Sequence, residues 1–300
     1  MSPIGSPSLR IKILSEKLVM KSSNTLLKKF ENEKYDIVVL AGQSNAHGHG
    51  LGPVENEFVP DERISLLTDD AEICFKKDEN GQDYLYLPEK CKKHISIAAE
   101  FGTPENKTGN FALIFAKKYV EAGMLEEGRK LLILRAAVGG TGFAKKQWGV
   151  GNVLYERLTD MTKAALGLNP ENRIVAILWH QGEHDAFENV GMPDEERSNF
   201  YCSSISAMFN DYFDKFGLQN IPFIAGGFVS EWYLKNKQTC DAVYVGMKRF
   251  LDTVGGRFVN TEDLPSNNEK IKNYDDIHFC RQSLYTLGER YFAQFEEIIK

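Results

Sequence analysis

A repeated alternation constrains this chain more than any other feature. Apolar runs at 35–41, 130–137, 173–180 and 221–228 are rich in Val, Ile and Leu, and each is short enough to be one buried strand. Between and after them lie stretches with apolar residues on one helical face, at 110–123, 152–166, 195–216, 240–254 and 282–299. Residues 257–260 suit a short fifth strand. Strands alternating with helices predict an α/β fold with a parallel, doubly wound sheet. No linker or internal repeat divides 35–300, which reads as one domain. Residues 1–34 read as an amphipathic helical extension, broken near Ser22-Ser23-Asn24. The stretch 49–109 has little periodicity and reads as an insertion over the sheet edge.

Charge and cysteine usage narrow the partners. The net charge is −6, which argues against nucleic acid or an anionic membrane as a general partner. Residues 1–34 carry seven Lys/Arg against three Asp/Glu, so +4, leaving −10 for the rest. No apolar run is long enough for a membrane span. The five cysteines are widely spaced without a Cys-x-x-Cys pair, which suits a reducing setting and disfavours a zinc ribbon. With no basic-then-apolar start at Met1, the expectation is a cytoplasmic protein, unless a leader was removed. Oligomeric state is not legible.

The polar residues at the strand ends carry the chemistry. Strand 35–41 runs into Gly42-Gln43-Ser44-Asn45-Ala46-His47-Gly48, and strand 130–137 into Val138-Gly139-Gly140-Thr141-Gly142. Strand 173–180 continues as Gln181-Gly182-Glu183-His184-Asp185, and Asp275-Asp276-Ile277-His278 precedes the last helix. In a parallel sheet these segments line one edge, where ligands bind. Taken alone, the first is an ordinary polar turn whose Ser44 or Asn45 caps a helix. Together the four suggest acyl transfer. Ser44 needs a base to become a nucleophile. His278 supplies one, with Asp275 three residues earlier to orient it and Asp276 as the nearby alternative. Oxyanion donors are available from the Ser44 N–H, a backbone N–H within Val138-Gly139-Gly140, and the Gln181 amide.

These residues resemble the SGNH hydrolase superfamily, in its branch of sialate O-acetylesterases and plant-type acetylxylan esterases. Gly-Gln-Ser-Asn at 42–45, Gly-Gly-Thr at 139–141 followed by Trp148, Trp-His-Gln-Gly-Glu at 179–183 and Asp-x-x-His at 275–278 carry the likeness over about 35–299. The resemblance implies a three-layer α/β/α, flavodoxin-like fold and cofactor-free, metal-free removal of acetyl groups from carbohydrate. It implies Ser44 as nucleophile, His278 as base and Asp275 as its partner. Ser44, Gly139 and Gln181 would form the oxyanion hole, with Gly140 as the alternative to Gly139. The chain departs from the pattern at His184, where Ser is common, and at Thr103, which interrupts a Gly-Pro-Glu segment.

Other readings compete at single residues. Gln43 and Asn45 either hold the serine turn or touch substrate. Trp148 and Trp232 either stack on a sugar ring or pack inside. His47 and His49 lack a third ligand at metal spacing. Glu183 and Asp185, two apart on one loop, suit capping better than a paired-carboxylate glycosidase. Two further functions use the same framework: a lipase or thioesterase, which needs an apolar trough that 49–109 is too polar to suggest, and a catalytically silent carbohydrate-binding relative.

Overall fold

The computed structural model describes residues 27–53, 57–70, 74–77, 79, 83–86, 91–102, 106–188 and 191–300. The helical extension expected over 1–34 lies outside them as far as residue 26; beyond it, Lys28–Phe30 form a single 3-10 turn.

In chain order the elements are β1 (Lys34–Gly42), α1 (Ser44–His47), β2 (Ile64–Asp69), β3 (Cys74–Lys77), β4 (Asp83–Tyr86), β5 (Lys93–Ile97), α2 (Phe111–Glu121), β6 (Arg129–Arg135), α3 (Val153–Leu166) and β7 (Arg173–His180). There follow α4 (Glu183–Glu188), α5 (Asp194–Phe216), β8 (Phe223–Gly226), α6 (Ser230–Lys235), α7 (Lys237–Val254), β9 (Arg257–Val259), α8 (Asn267–Ile271) and α9 (Arg281–Ile299).

Seven strands form one sheet in the order β5-β2-β6-β1-β7-β8-β9. All neighbours run parallel except β2 and β5, which are antiparallel. The sheet is therefore mixed where the sequence predicts a wholly parallel one, and the difference comes from the insertion. Ile64–Asp69 adds a parallel strand beside β6, Lys93–Ile97 returns along it, and β3 and β4 pair as a separate hairpin. These strands are four to six residues long and sit among charged residues, so no apolar window marks them.

Helices cover both faces. On one, α2 packs against α9, with Phe115 edge-on to Phe292 and Phe295. Gly288 permits this contact, because a Cβ there would come within 2.3 Å of Phe111 O. On the other, α3 meets α5 through Thr162 and Tyr212, and α7 meets α5 where Gly246 backs onto Ser198. The three-layer α/β/α arrangement follows from strands buried on both sides.

A charged cluster closes the N-terminal end of the sheet. Asp36, fully buried, accepts Arg129 Nε at 2.8 Å, Arg173 Nε at 2.7 Å and Tyr119 OH at 3.0 Å. This pins β1, β6 and β7 together at the end opposite the polar strand tails.

Candidate active site

The serine turn is built by close backbone approach. Gly42 has φ +132°, and a Cβ there would lie 2.1 Å from His180 O, so only glycine fits between β1 and β7. The chain then binds both neighbours: Gln43 N–H donates to His180 O at 2.9 Å, and Val138 N–H to Gly42 O at 3.0 Å. Ser44 opens the single turn α1, so its own N–H has no helical acceptor. Asn110 fastens the far side, donating to Ala46 O and His47 O while its Oδ1 caps α2.

Ser44 is 6% exposed. Gly139 lies beside it, close enough that a Cβ on Gly139 would be 3.5 Å from Ser44 Cβ. Gly140 is exposed with φ +67° and turns the chain.

His278, the candidate base, lies in the loop between α8 and α9. His278 Nδ1 lies 2.9 and 3.0 Å from the two oxygens of Asp275, and His278 N–H donates to Oδ1 at 3.2 Å. Asn267 Nδ2 donates to Asp275 Oδ2 at 2.8 Å. Burial works against ionising Asp275, but the hydrogen bonds from His278 and Asn267 outweigh it and hold its carboxyl below the usual range. Asp276, the alternative partner, turns away to Lys235. Asn267, which orients Asp275 through its Nδ2 bond, is a residue of the candidate site that sequence reasoning missed. Its signal was the capping box from Ser266 to Glu269, which starts α8 beside the base loop.

Asn45 ties the Ser44 turn to the His278 loop. Its Nδ2 donates to Ile277 O at 3.1 Å and its Oδ1 accepts from Phe279 N–H at 3.1 Å, one residue on either side of His278. Its other amide hydrogen goes to Glu183 Oε1 at 2.8 Å. Ser44 and His278 do not hydrogen-bond each other directly; such contacts often tighten only around bound substrate.

Three expectations need correction. The Gln181 amide is fully buried and donates to Thr141 O at 3.1 Å and Asp185 Oδ2 at 2.7 Å, while its Oε1 accepts from Tyr201. It has no N–H left for an oxyanion; it shapes the Gly139–Thr141 loop instead. Asn45 is fully buried with every hydrogen-bonding group used, so it holds the turn and touches no substrate. Trp148, 1% exposed, donates to Thr141 Oγ1 at 3.0 Å and packs edge-on to Trp179; Trp232 is also buried, against Phe228. Neither indole can stack on a sugar. Gln43 is nearly buried; its Oε1 accepts from His184 N–H at 3.3 Å, and its Nε2 has no partner among the described residues.

Glu183 and Asp185 serve as buried acceptors. Asp185 binds Phe143 N–H and Ala144 N–H as well as Gln181. Burial pushes each carboxyl up to about 6. His47 Nδ1 lies 3.1 Å from His49 Nε2, and burial keeps both imidazoles below their ordinary value, that of His47 at about 3. No cluster of three His, Cys, Asp or Glu with metal geometry exists among the described residues.

Ser44 on a tight turn, Gly139 beside it and an Asp275-paired His278 lie at one edge of a three-layer α/β/α sheet, which makes this edge the candidate active site of a hydrolase. Residues 34–297 match the carbohydrate esterase family described as sialic acid-specific acetylesterase, and the chain belongs to that family. It is 24% identical over 248 residues to a probable 9-O-acetyl-N-acetylneuraminic acid deacetylase from Escherichia coli K12, covering 70% of this chain and 72% of that protein. The crystal structure of NanS superposes with a TM-score of 0.65 at 19% identity, over 89% of this chain and 97% of that one. A protein from Arabidopsis thaliana gives 0.62 at 18%, over 87% and 98%. These superpositions speak for the fold. The protein is a carbohydrate esterase.

Proposed function

We propose that the protein removes O-acetyl groups from an acetylated sugar by a Ser-His-Asp mechanism. One observation carries the reading: Asn45, the residue after Ser44, bonds the backbone on both sides of His278, whose Nδ1 is held by Asp275. In the first step Ser44 Oγ attacks the acetyl carbonyl carbon as His278 Nε2 takes its proton. Asp275 keeps the proton of Nδ1 in place and stabilises the imidazolium. The Ser44 and Gly139 N–H groups receive the negative oxygen; losing one such donor costs about 3–4 kcal/mol of transition-state stabilisation. His278 returns the proton to the sugar oxygen, which leaves. Water then enters with His278 as base again and releases acetate, freeing Ser44.

Every group in this scheme is a protein group. p-Nitrophenyl acetate hydrolysis is therefore expected to survive a chelator and vanish in Ser44→Ala. Wild-type rates in the alanine variant would refute the nucleophile. Acetyl should be preferred over butyryl and longer acyl groups; the reverse would favour a lipase.

A further inference from the structure

The Asp275 bond by itself does not fix the plane of the His278 ring. It holds Nδ1, and a ring held at one nitrogen can still tilt, which changes where Nε2 points. The face of the ring is covered by a second imidazole. His49 stacks on His278 with centroids 5.0 Å apart and planes 20° from parallel, within the usual range for an offset stack.

His49 is held through both its ring and its backbone. Its Nε2 lies 3.1 Å from His47 Nδ1; one nitrogen donates and the other accepts, so two imidazolium ions cannot form this pair. Its carbonyl accepts from Asn267 Nδ2 at 3.0 Å, and the same Nδ2 donates to Asp275 Oδ2 at 2.8 Å. Asn267 Oδ1 accepts from Leu51 N–H at 2.8 Å. Between the two tied residues, Gly50 packs so closely that a Cβ would lie 2.6 Å from Leu284 Cδ1 and 3.0 Å from the Arg281 backbone. One amide thus fastens the backbone on either side of Gly50 to the partner of the base. Burial lowers the pKa of His49; His278 and Arg135 act the same way, and Asp275 opposes them. These surroundings favour an uncharged ring where His49 faces His278.

We propose that His49 is a positioning residue: its ring fixes the plane of His278 and offers its π face to the imidazolium that His278 becomes as Ser44 attacks. The inference rests on the esterase reading above and adds to it a residue that acts through the base. A cation is attracted to the face of an uncharged aromatic ring. The imidazolium exists only along the reaction path, so the attraction is absent from the bound ground state and lowers the barrier. Acyl transfer to Ser44 and its reversal by water both pass through the imidazolium, so both steps gain together. The contribution therefore falls on kcat and leaves KM in place.

The test is steady-state hydrolysis of p-nitrophenyl acetate by the full chain carrying His49→Ala, His49→Leu or His49→Phe, with Ser44→Ala as the blank. Each kcat is referred to folded protein, measured by near-ultraviolet circular dichroism. His49→Ala and His49→Leu are expected to lower kcat about tenfold to a hundredfold, with KM within about twofold of wild type. His49→Phe keeps a flat uncharged face and should hold kcat within about threefold. Leu fills much of the same space without a π face, so it separates the face from the filling. If His49→Ala does not fold, the Leu and Phe variants decide. Wild-type kcat in folded His49→Ala, a Phe variant as slow as the Leu variant, a Leu variant as fast as the Phe variant, or a loss carried by KM would overturn the inference. With Ser44→Ala inactive, the esterase reading would still stand. Activity that persists in Ser44→Ala would instead bring down the esterase reading and this inference with it.

Discussion

Asn45 donates to Glu183 Oε1 at 2.8 Å, joining the residue after the nucleophile to a carboxyl with no exposure to solvent. The rest of the Asn45 amide spans the backbone around His278. The Ser44 turn, the His278 loop and the residues after β7 are thereby held in one hydrogen-bonded unit. Replacing Asn45 by Ala leaves Glu183 Oε1, Ile277 O and Phe279 N–H without this partner. The expected loss is about 3 kcal/mol of stability and roughly tenfold to a hundredfold in kcat, since small misplacements of catalytic groups are costly. Urea unfolding and acetate release measure the two; an unaltered kcat in folded protein would show that the clamp is unnecessary.

Glu183 gives the stability a pH dependence. Burial raises its carboxyl from 4.5 to about 6, the hydrogen bond from Asn45 opposing the shift. The folded state then binds the proton more tightly than the unfolded chain, so stability falls as pH rises from 4.5 to 6 and the cost is complete above that. Its size is on the order of 2 kcal/mol. Glu183→Gln keeps an acceptor for Asn45 and removes the charge. It should stabilise the protein at pH 8 and do little at pH 4.5, as read by thermal unfolding at the two pH values. Equal effects at both would contradict the assignment.

Gly139 and Gly140 should respond differently to alanine. A Cβ at Gly139 makes only ordinary contact, with Ser44 Cβ at 3.5 Å, whereas Gly140 has φ +67°. Gly139→Ala is expected to leave stability within about 0.5 kcal/mol and to lower kcat/KM about tenfold by crowding the reacting carbonyl. Gly140→Ala should cost about 1 kcal/mol of stability through backbone strain. Thermal melts beside acetate kinetics separate the two.

Asp36 tests the opposite end of the sheet. Asp36→Ala strands the buried Arg129 guanidinium, which is 7% exposed, and should cost about 3–5 kcal/mol. In protein that remains folded, kcat should stay near wild type, because the cluster lies at the N-terminal end of β1. Urea titration and turnover on p-nitrophenyl acetate give both readings, and a large fall in kcat would mean that the two ends are coupled.

Much of the fold was legible because β1, β6, β7 and β8 are long apolar runs separated by amphipathic helices, and periodicity reports burial directly. β2 and β5 escaped notice because short strands among charged residues leave no such trace. Ser44, Gly139, Asp275 and His278 were visible as polar residues interrupting strand ends or set three apart on one turn. Residue type and local spacing, which a sequence carries, single them out.

What each polar side chain touches was a different matter. Gln181 was expected in the oxyanion hole, and Asn45 and Trp148 either against substrate or inside, yet the packed molecule turns all three inward onto Thr141, Asp185, Glu183 and the His278 loop. By itself the sequence determined the layered fold, the edge where polar residues collect and the residues that are candidates for chemistry there. Only the tertiary structure decided which of those side chains are buried as braces for the others, because hydrogen-bond partners a hundred residues apart are chosen by packing and leave no mark on local pattern.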